Sequence, residues 1–251
     1  MNKLKLRGYV TPEDFEGNDK EKIQKALELA KKEDICKVVL TGCYRPGGAI
    51  VVPCGMHLVL DHAVLYGDLI NEVINNFSFE QDRIYVEGKE SKIVGNVMLC
   101  HTNHAVLEGL AVDGDVSLRF SRNFRIEHAV ISGELRLGRG CQNGIMQHLS
   151  CDRVIASGEI GGEDMVGRDV LIKNIVLRDA EIAGGACLLA SRDCGFLNVQ
   201  LDEITAQANG VLVGNKTESL PKEQYQNFTF TNIHAAEAVV FYNECLHVYV
   251  K

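Results

Sequence analysis

The sequence predicts an all-β protein, a parallel β-helix (a solenoid) whose N-terminal end is capped by one α-helix. Three observations support this prediction: strand-like runs fill most of the chain, a single amphipathic helix precedes them, and one six-residue phrase returns six times. The 251 residues fit one domain spanning 1–251, because elongated repeat folds reach this length as single units. Its helical cap is predicted at about 18–34 and its coils at about 37–251.

The cap is predicted from the segment NDKEKIQKALELAKKED (18–34). Asn18 or Asp19 is a suitable N-cap, and acidic residues occupy the first turn, where they favour a helix N-terminus. The apolar residues that recur at helical spacing are Ile23, Ala26, Leu27 and Ala30. This stripe must cover another part of the protein.

Short β-type runs follow the helix and are separated by Gly, Pro, Cys-Gly and Asp-His. The first four are KVVL (37–40), AIVV (49–52), HLVL (57–60) and AVLYG (63–67). From residue 104 onward the chain is strand-like almost to its end. Strands this short and this closely spaced suit a sandwich, a barrel or a solenoid, and the repeat decides between them.

The recurring phrase begins with an apolar residue and has Gly, His or Asn in third place. It reads LEGLAV (107–112), IEHAVI (126–131), MQHLSC (146–151), IKNIVL (172–177), FLNVQL (196–201) and FTNIHA (230–235). The third residues are Gly109, His128, His148, Asn174, Asn198 and Asn232, at intervals of 19, 20, 26, 24 and 34 residues. Recurrence at periods of roughly 20–50 residues is typical of solenoids, whereas antiparallel hairpins give no reason for one polar position to recur.

In stacked coils, equivalent residues lie about 4.8 Å apart, and an Asn in each coil can occupy a left-handed bend and bond to the Asn above and below. Asn174, Asn198 and Asn232 are therefore predicted to form an internal asparagine ladder. His128 and His148 are predicted to occupy the same column, and a role as general base is the alternative for these histidines.

Composition excludes several classes of function. The net charge of -8 and the lack of a basic stripe argue against a nucleic-acid partner. The nine cysteines form no C-x-x-C pair, so neither a zinc site nor a dithiol redox motif is indicated. The N-terminus lacks an apolar signal region, and no stretch reaches membrane-span length. These features predict a cytoplasmic protein with reduced thiols and no membrane partner, or a secreted one if a signal peptide has been removed.

The N-terminal third, VTPEDFEGNDKEKIQKALELAKKEDICKVVLTGCYRPGGAIVVPCGMHLVLDHAVLYGD (10–68), resembles the pectate-lyase-like superfamily, with the polygalacturonase-type glycoside hydrolases (family 28) the most similar. The motifs that carry the resemblance are the helix KIQKALELA, the turn VVLTGCYRPGG and the strand pair LVLDHAVLYG. The segment GEIGGEDMVGRDVLIKNIVL (158–177) is similar to a later coil of that family. The resemblance implies a single-stranded, right-handed parallel β-helix whose first helix covers the open N-terminal end and protects a sheet edge.

The chain departs from the hydrolase pattern at the catalytic motifs. Those enzymes carry Asn-Thr-Asp, Asp-Asp, Gly-His-Gly and Arg-Ile-Lys strings on neighbouring coils, and none of the four occurs here. The segment that resembles the Arg-Ile-Lys coil reads NGVLVGN (209–215) and has no charge. The cationic clamp for a uronate carboxylate is missing at that place, which argues against galacturonan as the substrate.

A catalytic site can still be sought from the repeat. Asp115 lies six residues beyond Gly109, and Glu134 lies six beyond His128, so the two carboxylates are predicted to sit on consecutive coils about 5 Å apart, close to the separation in a retaining glycosidase. Such proximity should raise one pKa and supply a general acid. The predicted catalytic residues are Asp115, Glu134 and Asp113, and the predicted substrate-binding residues are Arg119, Arg136 and Asp152.

The primary hypothesis is a glycoside hydrolase that binds a carbohydrate, with no metal and no cofactor. A lyase or epimerase using calcium and an arginine, and a non-catalytic glycan-binding or assembly module, remain open. A polar turn is favoured over a metal site for His101 and His104 in CHTNH (100–104), and GGEDMVGRD (161–169) lacks the Lys-Ser/Thr of a phosphate loop. The apolar end AVVFYNECLHVYVK (238–251) predicts that the last coil is buried, either against another chain in a homo-oligomer or against a C-terminal segment that the sequence does not include.

Overall fold

The structure is a computed structural model that describes residues 7–72, 81–160 and 170–251. The Gly-rich segment 161–169 lies outside the described residues. In the described part of the chain, no helix is long and apolar enough to span a membrane. All nine cysteines are free thiols.

Helix α1 (Asp19–Lys32) begins where the sequence predicts and ends two residues before the predicted boundary. The side chain of Asn18 caps it by accepting a hydrogen bond from the backbone N–H of Glu21 at 3.0 Å. The predicted stripe of Ile23, Ala26, Leu27 and Ala30 is fully buried. Gln24 fixes the helix to the first coil, because its side chain both donates to and accepts from the backbone of Val51. Two short 3-10 helices span Pro12–Asp14 and Lys222–Gln224.

Strands occupy most of the rest of the described chain. The first twelve are β1 (Lys37–Leu40), β2 (Cys43–Tyr44), β3 (Ile50–Val52), β4 (His57–Asp61), β5 (Val64–Tyr66), β6 (Leu69–Asn71), β7 (Gln81–Lys89), β8 (Lys92–Val94), β9 (Val97–Cys100), β10 (Thr102–Glu108), β11 (Ala111–Asp113) and β12 (Val116–Arg119). The next twelve are β13 (Arg125–Glu127), β14 (Val130–Ile131), β15 (Glu134–Leu137), β16 (Gln142–Cys151), β17 (Arg153–Ser157), β18 (Ile172–Ile182), β19 (Ala186–Leu189), β20 (Phe196–Thr205), β21 (Asn209–Val213), β22 (Tyr225–His234), β23 (Glu237–Phe241) and β24 (Leu246–Val250).

These strands stack in parallel register into three faces, which confirms the predicted parallel β-helix. Face 1 contains β1, β4, β7, β10, β13, the first halves of β16, β18, β20 and β22, and then β24. Face 2 contains β2, β5, β8, β11, β14 and the second halves of the same four long strands. Face 3 contains β3, β6, β9, β12, β15, β17, β19, β21 and β23.

The core is a column of alternating side chains enclosed by the three faces. On face 3, Val116 and Leu118 point inward and are at most 2% exposed, while Ser117 between them points outward. On face 1, the inward ring of Phe124 lies above Gly144 of the next coil. This period of two is the reason that short alternating runs predicted strands in the sequence.

Two columns of left-handed residues bend the chain around face 1. The first bend, at the entry to face 1, contains His104, Asn123, Asn143, Asn174, Asn198, Asn227 and His247, with φ between 52° and 59°. The second bend, between faces 1 and 2, contains Gly109, His128, His148, Asp179, Glu203 and Asn232, with φ between 49° and 65°. The two bends lie five residues apart on each coil.

The six marked residues therefore do not form one column, and the predicted ladder needs correction. Asn174 and Asn198 belong to the first bend, whereas His148 and Asn232 belong to the second. The His148 ring stacks on His128 at 4.8 Å and bonds to Asp179. This stacking confirms that the two histidines share a column.

An asparagine ladder does exist, along the first bend. Each amide nitrogen donates to the amide oxygen of the preceding coil: Asn123 to Asn103, Asn143 to Asn123, Asn174 to Asn143, Asn198 to Asn174 and Asn227 to Asn198, at 2.8–3.0 Å. The prediction of an internal ladder was wrong, because these side chains are exposed. The amides leave the core because left-handed residues at the corner of a coil project outward.

The last coil exposes large apolar side chains. Phe241, Val248 and Val250 are 41%, 37% and 49% exposed, although their equivalents on earlier coils are buried. Strand β24 pairs with β22 alone among the described strands. Association with another chain through this coil stays a prediction.

Candidate functional site

The turn between faces 2 and 3 brings together two of the predicted catalytic carboxylates. Val116 pairs with Leu135, so Asp115 and Glu134, which precede them, are neighbours on consecutive coils. The predicted pairing is therefore present in the geometry. The next coil places Arg153 opposite Glu134, so Arg153 and not Asp152 continues the column.

This column is also a hydrogen-bonded part of the scaffold. The backbone N–H of Asn96 donates to Asp68 at 2.8 Å, that of Asp115 to the Asn96 side chain at 2.9 Å, and that of Glu134 to Asp115 Oδ1 at 2.9 Å. Each polar side chain thus satisfies the turn of the coil that follows it. A requirement of the turn alone explains why Asp and Asn recur here.

Arg136 binds both carboxylates. Its Nη2 lies 3.2 Å from Asp115 Oδ2 and 2.8 Å from Glu134 Oε2, and its Nε lies 2.8 Å from the same Glu134 oxygen. Arg153 adds a longer contact of 3.8 Å from Nη1 to Glu134 Oε1. We call Asp115, Glu134, Arg136 and Arg153 the turn cluster; it joins two negative charges to two positive charges.

The other predicted site residues are not joined to this pair. Asp113 pairs with Lys92 at 2.9 Å and accepts from Ser132 Oγ at 3.1 Å, and the hydrogen bond from Lys92 lowers the pKa of its carboxyl. Arg119 and Asp152 are exposed. In the described part of the chain, no side-chain hydrogen bond or ion pair links any of these three to Asp115 or Glu134.

Arg136→Met is expected to lower the free energy of unfolding by roughly 1 kcal/mol at low ionic strength, because the substitution leaves two partly exposed carboxylates facing each other. The loss should shrink in high salt, which screens that repulsion. Arg136→Lys keeps the charge without the two-nitrogen contact and should lose less. Urea unfolding at low and high ionic strength checks this, and a methionine variant as stable as wild type at low salt would contradict it.

A second titratable cluster, which sequence reasoning missed, lies on face 1. Glu87, Glu108 and Glu127 stand in register on three consecutive coils, and we call them the glutamate column. Tyr85 donates its hydroxyl proton to Glu108 at 2.5 Å, and Gln147 donates to Glu127 at 2.8 Å. The signal was in the sequence, because each Glu follows an apolar residue and precedes Gly or His, in VEG, LEG and IEH.

Glu87, the first member of the glutamate column, is held in its charged form by two neighbouring side chains. His57 Nε2 lies 2.9 Å from the Glu87 carboxylate and Lys89 Nζ lies 3.1 Å from it. Burial raises the pKa of Glu87, but the hydrogen bonds from Lys89 and His57 outweigh it and leave the pKa below its ordinary value. Burial lowers the pKa of His57 more than Glu87 raises it. The His57 ring stacks on Tyr85 at 4.2 Å.

Acidification is expected to destabilise the fold through this pair. A lowered pKa of Glu87 favours folding above the unfolded carboxyl value near 4.5, and the benefit is lost as pH falls through the folded pKa. The lowered pKa of His57 also destabilises the folded state as pH falls below about 6.5, because the unfolded state then binds a proton more readily than the folded one. Urea unfolding at pH 7 and pH 4 should show a smaller acid loss for His57→Gln than for wild type, because the variant has no imidazole to protonate and deprives Glu87 of a hydrogen bond that lowers its pKa; equal losses would contradict the assignment.

A concavity lies on face 1 over the last coils. It encloses about 570 Å³ beside the ladder residues Asn174, Asn198 and Asn227. Outward side chains of consecutive coils line it, namely Val176, Gln200, Thr229 and Tyr249. We call this concavity the amide groove.

The two histidines of CHTNH do not converge on one site. His101 is buried and its ring stacks on Phe120 at 4.9 Å, whereas His104 lies in the first bend. Among the described residues, no group of three or more His, Cys, Asp or Glu is placed to hold a metal ion.

Comparison with known proteins identifies the fold and no family. No protein-family profile matches the chain, and no curated protein matches it in sequence. Two solved structures of PfbA, a surface adhesin of Streptococcus pneumoniae, are similar. One matches with a TM-score of 0.54 and 7% identity, covering 96% of this chain and 97% of the PfbA chain in that structure. The other has a TM-score of 0.49 and 8% identity, covering 97% of this chain and 92% of its PfbA chain.

At this identity the first match bears on fold alone. It supports a parallel β-helix, while no comparison supports a polygalacturonase. The chain is therefore similar to PfbA along nearly its whole length as a parallel β-helix.

Proposed function

We propose that this chain is a non-catalytic carbohydrate-binding β-helix. The observation that carries the proposal is the amide groove, a concavity of about 570 Å³ whose lining combines amide, hydroxyl and aromatic side chains with aliphatic ones and His247, and includes no Asp, Glu, Lys or Arg. Its volume falls within the range of small-molecule binding sites. Amides and hydroxyls both donate and accept hydrogen bonds, as the hydroxyls of a sugar do.

The turn cluster supports binding over hydrolysis. A retaining glycosidase needs one protonated carboxyl as general acid and one available carboxylate as nucleophile. Arg136 contacts both Asp115 and Glu134, so its guanidinium already engages oxygens that an acid and a nucleophile would need for the substrate. Asp115 also accepts the backbone N–H of Glu134, so one of its oxygens already serves the turn.

The use of this fold in another protein is consistent with the proposal. PfbA is described as a surface adhesin, so a solenoid of this kind serves attachment in that protein. Stacked coils supply an extended surface of fixed shape, which is suited to attachment. The similarity in fold adds no residue-level argument.

Glycoside hydrolysis at Asp115 and Glu134 is the second candidate function. The observation in its favour is their register on consecutive coils, which is the arrangement that a carboxylate pair requires. A calcium-dependent lyase or epimerase has no comparable observation behind it.

Incubation of the protein with a panel of neutral and charged oligosaccharides tests the two candidates together. We expect retention of at least one glycan on the immobilised protein, no release of new reducing ends, and affinity within about twofold of wild type for Asp115→Asn and Glu134→Gln. Reducing ends released by wild type and lost in both variants would establish the hydrolase instead.

A further inference from the structure

The amide groove has spare hydrogen-bonding capacity that repeats from coil to coil. In the ladder, the Asn198 side chain donates one N–H to Asn174, and its oxygen accepts one hydrogen bond from Asn227. A primary amide has two N–H groups and two lone pairs, so one donor and one acceptor remain on Asn198. The same count applies to Asn174, which accepts a hydrogen bond from Asn198 and donates one to Asn143.

The outward row of face 1 adds unused polar groups beside the ladder. Gln200 and Thr229 are paired on neighbouring coils, and their side chains make no hydrogen bond with any described residue. Val176 precedes them and Tyr249 follows them in the same row. The groove thus presents two parallel rows, each repeating at the strand spacing of about 4.8 Å.

Tyr249 supplies an aromatic surface at one end of the row. Its side chain is 55% exposed and stands on β24, in register with Thr229. An exposed ring with an apolar face and a polar hydroxyl suits contact with a ligand that is also amphipathic.

The charge of the groove limits the class of ligand. Asp, Glu, Lys and Arg make up 24% of the chain, yet none lines this concavity. An anionic sugar would find no Lys or Arg in the lining to pair with and only the imidazole of His247, so most of its desolvation would be uncompensated. The lining therefore selects against uronates and sulfated glycans and in favour of uncharged ones.

From these features we infer that the amide groove binds a neutral, linear glycan that runs along the solenoid axis from coil to coil, with a sugar ring against Tyr249. This inference rests on the proposed function and names its site, ligand class and orientation. The proposed binding site is separate from the turn cluster, which lies between faces 2 and 3.

Titration calorimetry with neutral hexaoses (cellohexaose, xylohexaose, mannohexaose and maltohexaose) and with hexagalacturonate tests the inference. At least one neutral hexaose should bind wild type, and more tightly than its disaccharide, because the longer chain spans more coils. Gln200→Ala and Tyr249→Ala should each weaken binding about tenfold. Tyr249→Phe, which keeps the ring, and Gln207→Ala, an exposed glutamine outside the groove, should bind like wild type.

The outcomes separate the two proposals. If a hexaose binds but both alanine variants bind it as tightly as wild type, the groove is the wrong site and carbohydrate binding stands. Preference for hexagalacturonate, or equal affinity for disaccharide and hexaose, would overturn the ligand class or the axial orientation. If none of these hexaoses binds, the inference fails, and retention of other glycans then decides the proposed function. Circular dichroism of each variant ensures that a loss of binding reflects the site.

Discussion

Phe124→Ala is expected to lower the free energy of unfolding by about 3–5 kcal/mol. The Phe124 ring is 1% exposed and points into the solenoid directly above Gly144 of the next coil. A Cβ added to Gly144 would fall inside that ring. The glycine therefore makes room for the aromatic side chain, and removing the ring leaves a cavity that a rigid stack of coils cannot close.

A double-mutant cycle isolates this complementarity. Gly144→Ala alone should destabilise by about 1–3 kcal/mol through overpacking. In the Phe124→Ala background, Gly144→Ala should lower the free energy of unfolding far less, because the added methyl group enters the vacated space. Urea unfolding of the four proteins checks the cycle, and strictly additive losses would show that the two side chains do not share one volume.

Asn198→Ala is expected to lower the free energy of unfolding by about 2–4 kcal/mol, which is the second largest effect expected. The substitution removes two ladder bonds, from Asn198 to Asn174 and from Asn227 to Asn198. It also places a residue with a Cβ and no polar side chain at φ 57°, where an alanine is strained by roughly 1–2 kcal/mol.

Asn198→Gly separates the two causes. Glycine tolerates the left-handed conformation and loses only the amide, so we expect it to be more stable than the alanine variant by about 1 kcal/mol. Thermal and urea unfolding of both variants provide the measurement. Equal stability of the two would mean that the bend carries no strain, and no loss in either would mean that the ladder does not stabilise the stack.

Much of the fold could be predicted from local pattern. The stripe of Ile23 and Leu27 with the cap at Asn18 gave α1 because a helix is determined by residues close in sequence. The parallel stacking followed from recurrence of one polar position, since hairpins would alternate direction. The helix and the stacking both depend on residue spacing, which a sequence displays directly.

The ladder was misplaced because each coil has two left-handed bends five residues apart, and both accept Asn or His. Asn143 and His148 lie on the same coil, and the phrase aligned His148 with Asn174, whose partner in space is Asn143. The intervals of 26 and 34 residues mixed the two bends, while the true repeats are 31 and 29. Spacing alone cannot tell one bend from the other when the residue types are shared.

The carboxylate pair was predicted because Gly109 and His128 both belong to the second bend, so equal offsets gave a true register. Its pairing with Arg136 depends on side-chain conformation, which the pattern does not contain. The amide groove could not be seen in the sequence at all. Its rows assemble from Asn174 to Tyr249, residues that only stacking brings together.

The most direct test of the account is a crystal structure of the protein with a neutral hexaose that it binds. We predict an intact, uncleaved chain lying over face 1, with sugar hydroxyls at Asn198 and Gln200 and a ring against Tyr249. A sugar bound at Asp115 and Glu134 instead, or a shortened product at either place, would contradict the account.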